Sequence, residues 1–255
     1  MSRRARLSLF GVAGAGLLAV LVIGLHGLPA FGHYHGIYGL LLGKIEPNLR
    51  HATDIVTSLN FDIRAFDTVG EEFILFASVA GVALLLRHLR DEDEDVEQRR
   101  GLEDHTFAGA SESLRLMSLV LIPLLVALGV YLVLHGALTP GGGFQGGVVL
   151  AAGPIAILLA GRYLALKRVA PEFAIESLES IGAAAYVLIG VGGLIFAGVF
   201  FKNYLPLGKP GMLLSGGMMP LNSIAVGLEV SGAFLLTWTE FLDQSLLVEH
   251  GELTS

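Results

Sequence analysis

The chain has 255 residues, 53% of them hydrophobic and only 15% charged, and its mean hydropathy is +0.69. Soluble domains carry about a quarter charged residues, so this composition points to the lipid bilayer and away from a soluble enzyme; a nucleic-acid binder would also need a basic face. The net charge of −7 is concentrated in one acidic stretch, and the absence of cysteine excludes disulfides, thiolate zinc sites and iron–sulfur ligation by this chain. The eight histidines lack the paired spacing of a metal site, and neither a Walker loop nor a dinucleotide fingerprint is present. No catalytic group, resident metal or cofactor is expected.

Ser2-Arg3-Arg4-Ala5-Arg6 precedes an apolar run from Leu7 to Leu25. A signal peptide begins similarly, but the run is long for a signal core and no small-x-small cleavage site follows cleanly. A retained first transmembrane helix with its arginine end in the cytoplasm is the better reading. The stretch from His26 to Thr68 is polar and turn-rich; its His33 and His35 have no further ligands nearby and read as interfacial residues. Thr68 and Glu71 have capping-box spacing ahead of a second apolar helix, about Glu72–Leu89. Glu71 is therefore either half of a cap or an ion-handling group. Asp62 and Arg64 suit a local or intersubunit ion pair, and Arg87 and Arg90 place the far helix end inside. Asp91–Ala110 opens with a dense acidic run, lacks the ligand spacing of a calcium loop, and reads as a solvated cytoplasmic linker.

A third helix, about Ser113–Leu134, and a fourth, Val148–Leu166, flank His135-Gly136-Ala137-Leu138-Thr139-Pro140-Gly141-Gly142-Gly143-Phe144-Gln145-Gly146-Gly147. Pro140 stops the arriving helix, and the glycines open backbone conformations that other residues reach only with strain. Irregular backbone at membrane depth survives only inside protein or against a water-filled cavity. The expectation is a packed or cavity-lining turn, with Gln145 as a polar contact at a helix start. The fourth helix is kinked by Pro154 and lands on Lys167 and Arg168. On a fifth helix, about Ser177–Phe201, Glu179, Gly182, Tyr186, Gly190 and Gly193 share one face, which reads as a packing seam. Glu179 there either lines a proton inlet or is a wetted interfacial residue. A sixth helix is capped by Asn222 and runs to about Leu242. Glu229 lies seven residues into it, roughly 10 Å below its end and inside a hydrocarbon core about 30 Å thick. Glu240 returns to almost the same face.

Two stretches carry a resemblance. The His135–Gly147 string, with Pro220-Leu221-Asn222 and Gly227-Leu228-Glu229-Val230, resembles the MnhB family, the MrpB component of Mrp-type multisubunit Na+/H+ antiporters, over about Leu114–Leu242. Asp62, Arg64, Phe66, Asp67, Thr68, Gly70 and Glu71 resemble the MbhE-like segment that ends the MrpA component of those antiporters and recurs in membrane-bound hydrogenases. The resemblance implies an MbhE-like segment over 1–90 with two transmembrane helices, a linker over 91–110, and an MnhB-like domain over 111–255 with four. It implies an all-α, polytopic protein of about six transmembrane helices with both termini cytoplasmic, in a prokaryotic plasma membrane. The implied role is non-catalytic: one membrane subunit, with others as partners, of an Mrp-type complex that exchanges Na+ for H+. Glu229 is then the first candidate for the ion or proton pathway; Gln145, Thr139 and His135 follow near the turn, with Glu71 and Glu179 beyond. Two other readings stay open: an ion-translocating membrane-arm subunit of a hydrogenase or complex I-like redox complex, and a purely structural scaffold.

Overall fold

The computed structural model describes residues 3–28, 36–91, 111–160 and 163–254. These are helical, with no strand among the described residues. In chain order they form α1 (Arg3–His26), α2 (Ile37–Leu49), α3 (Ile55–Ser58), α4 (Ala65–Asp91), α5 (Glu112–Leu134), α6 (Gly143–Leu159), α7 (Tyr163–Val169), α8 (Glu172–Ala197) and α9 (Met219–Thr254). A π-helical turn over Leu59–Ile63 joins α3 to α4.

The chain divides into a small unit, Met1–Leu41, and a large one, Leu42–Ser255. In the small unit α1 exposes Leu7, Phe10, Val12, Leu17, Val20 and Ile23, as a helix apolar on all sides does when lipid or another chain covers it. In the large unit α4, α5, α8 and α9 each contain a stretch long and apolar enough to cross a membrane; Phe10–His26 and Gly143–Leu158 are shorter apolar helices. Six apolar helices in an all-α polytopic chain agree with the sequence.

The helix α9 is the axis of the large unit. Within the chain 78% of its apolar window is buried, against 11%, 17% and 28% for α4, α5 and α8. It packs against α8, α6 and α4, while α5 and α6 pair as a hairpin. One core cluster joins Phe61 and Ala65 to Tyr186, Phe201, Met218, Met219, Val226 and Val230. A second joins Val79 and Ala151 to Ile175, Ala233, Leu235 and Leu236. Lipid tails are as apolar as these side chains, so close packing rather than escape from water holds such helices together.

Several local expectations are corrected. Helix α4 starts at Ala65, not Glu72, so Thr68 lies inside it and cannot be its N-cap. The Thr68 hydroxyl instead donates to the Asn60 carbonyl at 2.9 Å, an acceptor left in the π turn, and no Thr68–Glu71 capping box forms. Asp62 pairs with Arg50, and Arg64 with Asp67, rather than with one another. The π turn explains this by facing the Asp62 side chain inward, 4% exposed, and that of Arg64 outward, 60% exposed. Glycine turns into helix earlier than expected, with α6 starting at Gly143 and ending at Leu159, so that α7 is a separate element. Pro171 opens α8, and Gly198, at φ 73°, closes it in the left-handed conformation that glycine adopts freely. His33, His35 and residues 92–110 lie outside the described residues.

Candidate functional site

The glycine-rich string is a packed turn. Helix α5 ends at Leu134, and the amides of Leu138 and Thr139 bond back to the His135 carbonyl at 2.8 and 2.9 Å. Gly141 and Gly142, at φ 158° and 111°, reverse the chain, and the Gly142 amide donates to the Leu132 carbonyl at 3.1 Å. The remaining glycines serve close approach. A Cβ at Gly146 would stand 2.9 Å from the Gly129 carbonyl oxygen, and one at Gly147 would stand 2.8 Å from Val230 Cβ. Gly143 meets Ser223 and Val226 as tightly, so the start of α6 is wedged between α5 and α9. The Ser223 hydroxyl fastens the joint by donating to the Val133 carbonyl at 2.7 Å. The segment before α3 covers the turn: the Thr53 and Asp54 amides donate to the Ala137 carbonyl at 3.0 and 3.2 Å.

Gln145 and Pro140 are exposed, and Thr139 is half-buried. His135 stacks on Tyr131 with ring centroids 4.1 Å apart, leaving a buried Nδ1 without a hydrogen-bond partner. Phe144 packs on the core around Tyr186. None of Gln145, Thr139 and His135 bonds to a buried acid.

Those acids meet elsewhere, between α4, α8 and α9. Glu229 is fully buried, and Glu72 and Glu179 are 3% and 4% exposed. The carboxyls of Glu72 and Glu229 face each other across the α4–α9 contact, and neither has another hydrogen-bond partner. Glu179 neighbours Glu229 from the other side, and its Oε1 is likewise without a partner. No three potential metal ligands converge on one point among the described residues; Glu229 is the acid that neighbours both of the others.

A reciprocal helix crossing holds the acids in place. A Cβ on Gly182 of α8 would run into the Glu229 backbone, with Glu229 Cα at 2.7 Å. A Cβ on Gly232 of α9 would run into the Glu179 backbone, with Glu179 Cα at 3.0 Å. Each acid thus lies opposite the other helix's glycine, and the sequence carries the device as Glu-x-x-Gly in both helices, at 179–182 and 229–232. The expected seam on α8 is real: Glu179, Gly182, Tyr186, Gly190 and Gly193 are all buried. Tyr186 ties it to α4 by donating to the Ala65 carbonyl at 3.1 Å.

Sequence reading picked Glu71 and missed Glu72. Glu71 is exposed and its neighbour faces the interior, which only the Ala65 start of α4 decides. It also missed Glu46, buried at 5% exposure and accepting a hydrogen bond from Ser58. Close by, burial pushes the Asp62 carboxyl above its ordinary value; the adjacent Arg50 guanidinium opposes the rise and Glu46 adds to it. Glu240 is buried too, but has an interaction of its own.

A shallow, almost wholly apolar crevice of about 10 Å³, room for about one water, lies between α4 and α8, lined by Val69, Glu72, Phe73, Phe76, Ala183, Tyr186 and Val187.

A family model described as a domain related to the MnhB subunit of Na+/H+ antiporter matches residues 113–236. An uncharacterized protein of Methanocaldococcus jannaschii is 32% identical over 226 residues, spanning 79% of this chain and 86% of that protein. Among solved structures, a chain of the membrane-bound sulfane sulfur reductase, an archaeal respiratory membrane complex, superposes with a TM-score of 0.68 at 26% identity, covering 94% of this chain and 99% of that one. A chain of the Mrp complex from a Dietzia species shares the fold, with a TM-score of 0.66 at 23% identity over 94% of this chain but 26% of that longer one. The matched region holds the glycine turn, Glu179 and Glu229, and residues 113–236 of this chain belong to the family of domains related to the MnhB subunit.

Proposed function

We propose that the chain is a non-catalytic membrane subunit of a multisubunit monovalent-cation/proton antiporter of the Mrp type, in a prokaryotic plasma membrane with both termini cytoplasmic. The observation that carries this reading is the line Glu72–Glu229–Glu179, three buried acids without other partners inside apolar helices. An acid at a helix centre costs about 2.5–3.5 kcal/mol on insertion scales. Two carboxylates side by side and out of water also repel, so the pair takes up a proton or a cation to offset its charge. Glu229 is the central station, Glu72 shares its proton or Na+, and Glu179 passes it on. The residues of 1–90 act as the MbhE-like piece and those of 111–255 as the MnhB-like piece, joined through 91–110, so that Glu72 comes from one piece and Glu229 from the other. Gln145, Thr139 and His135 then form the polar rim of the turn rather than the pathway.

Glu229→Gln tests this, because it keeps size and hydrogen-bonding capacity while removing charge and titration. The complex should assemble normally, with Na+-driven proton movement in proteoliposomes reduced by about tenfold or more, a barrier increase of about 1.4 kcal/mol. Glu229→Asp should retain part of the rate. Full antiport by a correctly assembled Glu229→Gln complex ends the claim.

A second reading places the same chain in the membrane arm of a redox complex. It is favoured by the near-complete coverage of the sulfane sulfur reductase chain. Co-purification of cofactor-bearing soluble subunits with this chain would select it.

A further inference from the structure

Resting on the acid-pair reading above, we propose that the hydroxyls of Tyr186 and Thr68 extend the acid path toward the π turn, as a limb that carries protons and excludes Na+.

Thr68 and Glu72 stand one turn apart on the same face of α4, 2% and 3% exposed. Tyr186 faces them from α8 and is fully buried; its hydroxyl neighbours that of Thr68, and its ring lines the same crevice as Glu72. On α8 it lies seven residues after Glu179, on the same face and about 10 Å along the helix. The start of α4 meets the far half of α8, with Ala65 beside Tyr186 and Phe66 beside Phe200. Thr68 and Tyr186 are therefore displaced from the acids toward the same end of the bundle. That end holds the π turn, where the Thr68 hydroxyl donates to the carbonyl of the half-buried Asn60 at 2.9 Å.

A hydroxyl gives up its own proton while its oxygen accepts another. Tyr186 donates to the Ala65 carbonyl at 3.1 Å and Thr68 to that of Asn60, which leaves the lone pairs of both oxygens for an incoming proton. When the Tyr186 O–H turns from Ala65 to an ionised Glu72, its proton passes to the acid. Thr68 restores the phenol by donating to its oxygen, and water at Asn60 restores Thr68. Each O–H bond that breaks is matched by one that forms, so only the directions of the hydrogen bonds change. A sodium ion has no such way through: the Tyr186 ring is packed against Phe61 and Phe201, with centroids 6.1 and 4.9 Å away, and a cation would have to displace them. The bond to Ala65 alone accounts for a buried tyrosine. It does not account for a second hydroxyl beside it, one turn from Glu72.

The test removes one hydroxyl at a time in the whole complex, with assembly and Na+-driven proton movement measured in proteoliposomes. Tyr186→Phe and Thr68→Val keep size and packing, and Thr68→Ser keeps the hydroxyl. The first two should assemble and run slower by about tenfold or more, at an unchanged half-saturating Na+ concentration, with Thr68→Ser near the wild-type rate. Full rate in either hydroxyl-free variant overturns the limb, and so does a raised half-saturating Na+ concentration, which puts the cation on the same path. A purely structural Tyr186 is separated by 3-fluorotyrosine at position 186, which keeps the ring and the hydroxyl but makes the phenol more acidic. A relay changes its rate with that acidity, by about twofold or more, whether or not the hydroxyl-free variants assemble; an unchanged rate overturns the proposal. The underlying reading fails separately: a silent Glu229→Gln removes the acids as stations and the limb with them, whereas its loss of transport beside a full-rate Tyr186→Phe removes only the limb.

Discussion

Gly182 and Gly232 leave the least room for change of any residues near the acids. A methyl group at either would overlap the backbone of the facing helix beside an acid. Overpacking of this kind typically costs about 1–3 kcal/mol. Gly182→Ala and Gly232→Ala should each destabilise the complex by about that amount, lowering its thermal midpoint, and should slow transport by displacing Glu229 or Glu179. Gly70→Ala, where a Cβ meets nothing within 4 Å, should leave the midpoint unchanged. The same scale shows where sequence reading stops. Glu229 is legible as buried, because a single acid deep in an apolar helix has few alternatives. Glu71 and Glu72 are not separable without the helix register: successive residues point about 100° apart, so one faces the core and the other does not. The paired Glu-x-x-Gly pattern was visible in the sequence, but it gains meaning only once α8 and α9 are known to run antiparallel against each other.

Among the elements, the π turn at Leu59–Ile63 has the most consequence, since it faces Asp62 toward Arg50 and Glu46. Burial raises the Asp62 carboxyl above its ordinary 3.8, against the pull of Arg50. A group that binds its proton more tightly when folded adds stability below its unfolded value and loses it as pH rises through the folded one. Thermal stability of the complex should therefore fall as pH rises through the range just above 3.8. Asp62→Asn should flatten that part of the profile, and Arg50→Gln should shift the fall to higher pH; an unchanged profile in both would remove Asp62 as its origin. The π turn was not legible because no composition rule marks it, whereas the glycine turn was, since its proline and run of glycines can satisfy little else. The early start of α6 escaped because a glycine-rich run reads as loop until packing against α5 and α9 makes helix the only conformation that fits.

For the whole molecule, hydropathy made the apolar spans visible, because alternation of long apolar runs with polar joints is a property of the chain itself. It could not show that α9 is the axis, which depends on which helix the others share. The arginines and lysines at the helix ends predict that the α2–α3 region and the α8–α9 loop lie outside and residues 91–110 inside. The cysteine-free chain makes this testable: single cysteines at the exposed Thr53 and Lys209 should react with an impermeant thiol reagent in intact cells, and one at Glu94 only after lysis. Reaction of Glu94→Cys in intact cells would invert the topology. The reciprocal crossing of α8 and α9 also bears on how the chain is made. An acid entering the bilayer alone meets lipid, but here each acid-bearing face is matched to the helix that follows or precedes it across a single loop. The two helices can leave the translocation machinery as a preformed hairpin, with Glu179 and Glu229 turned toward one another and away from lipid throughout biogenesis. A bulky residue at Gly182 would then act during synthesis, before the complex exists, and its first symptom would be a nascent chain that fails to integrate.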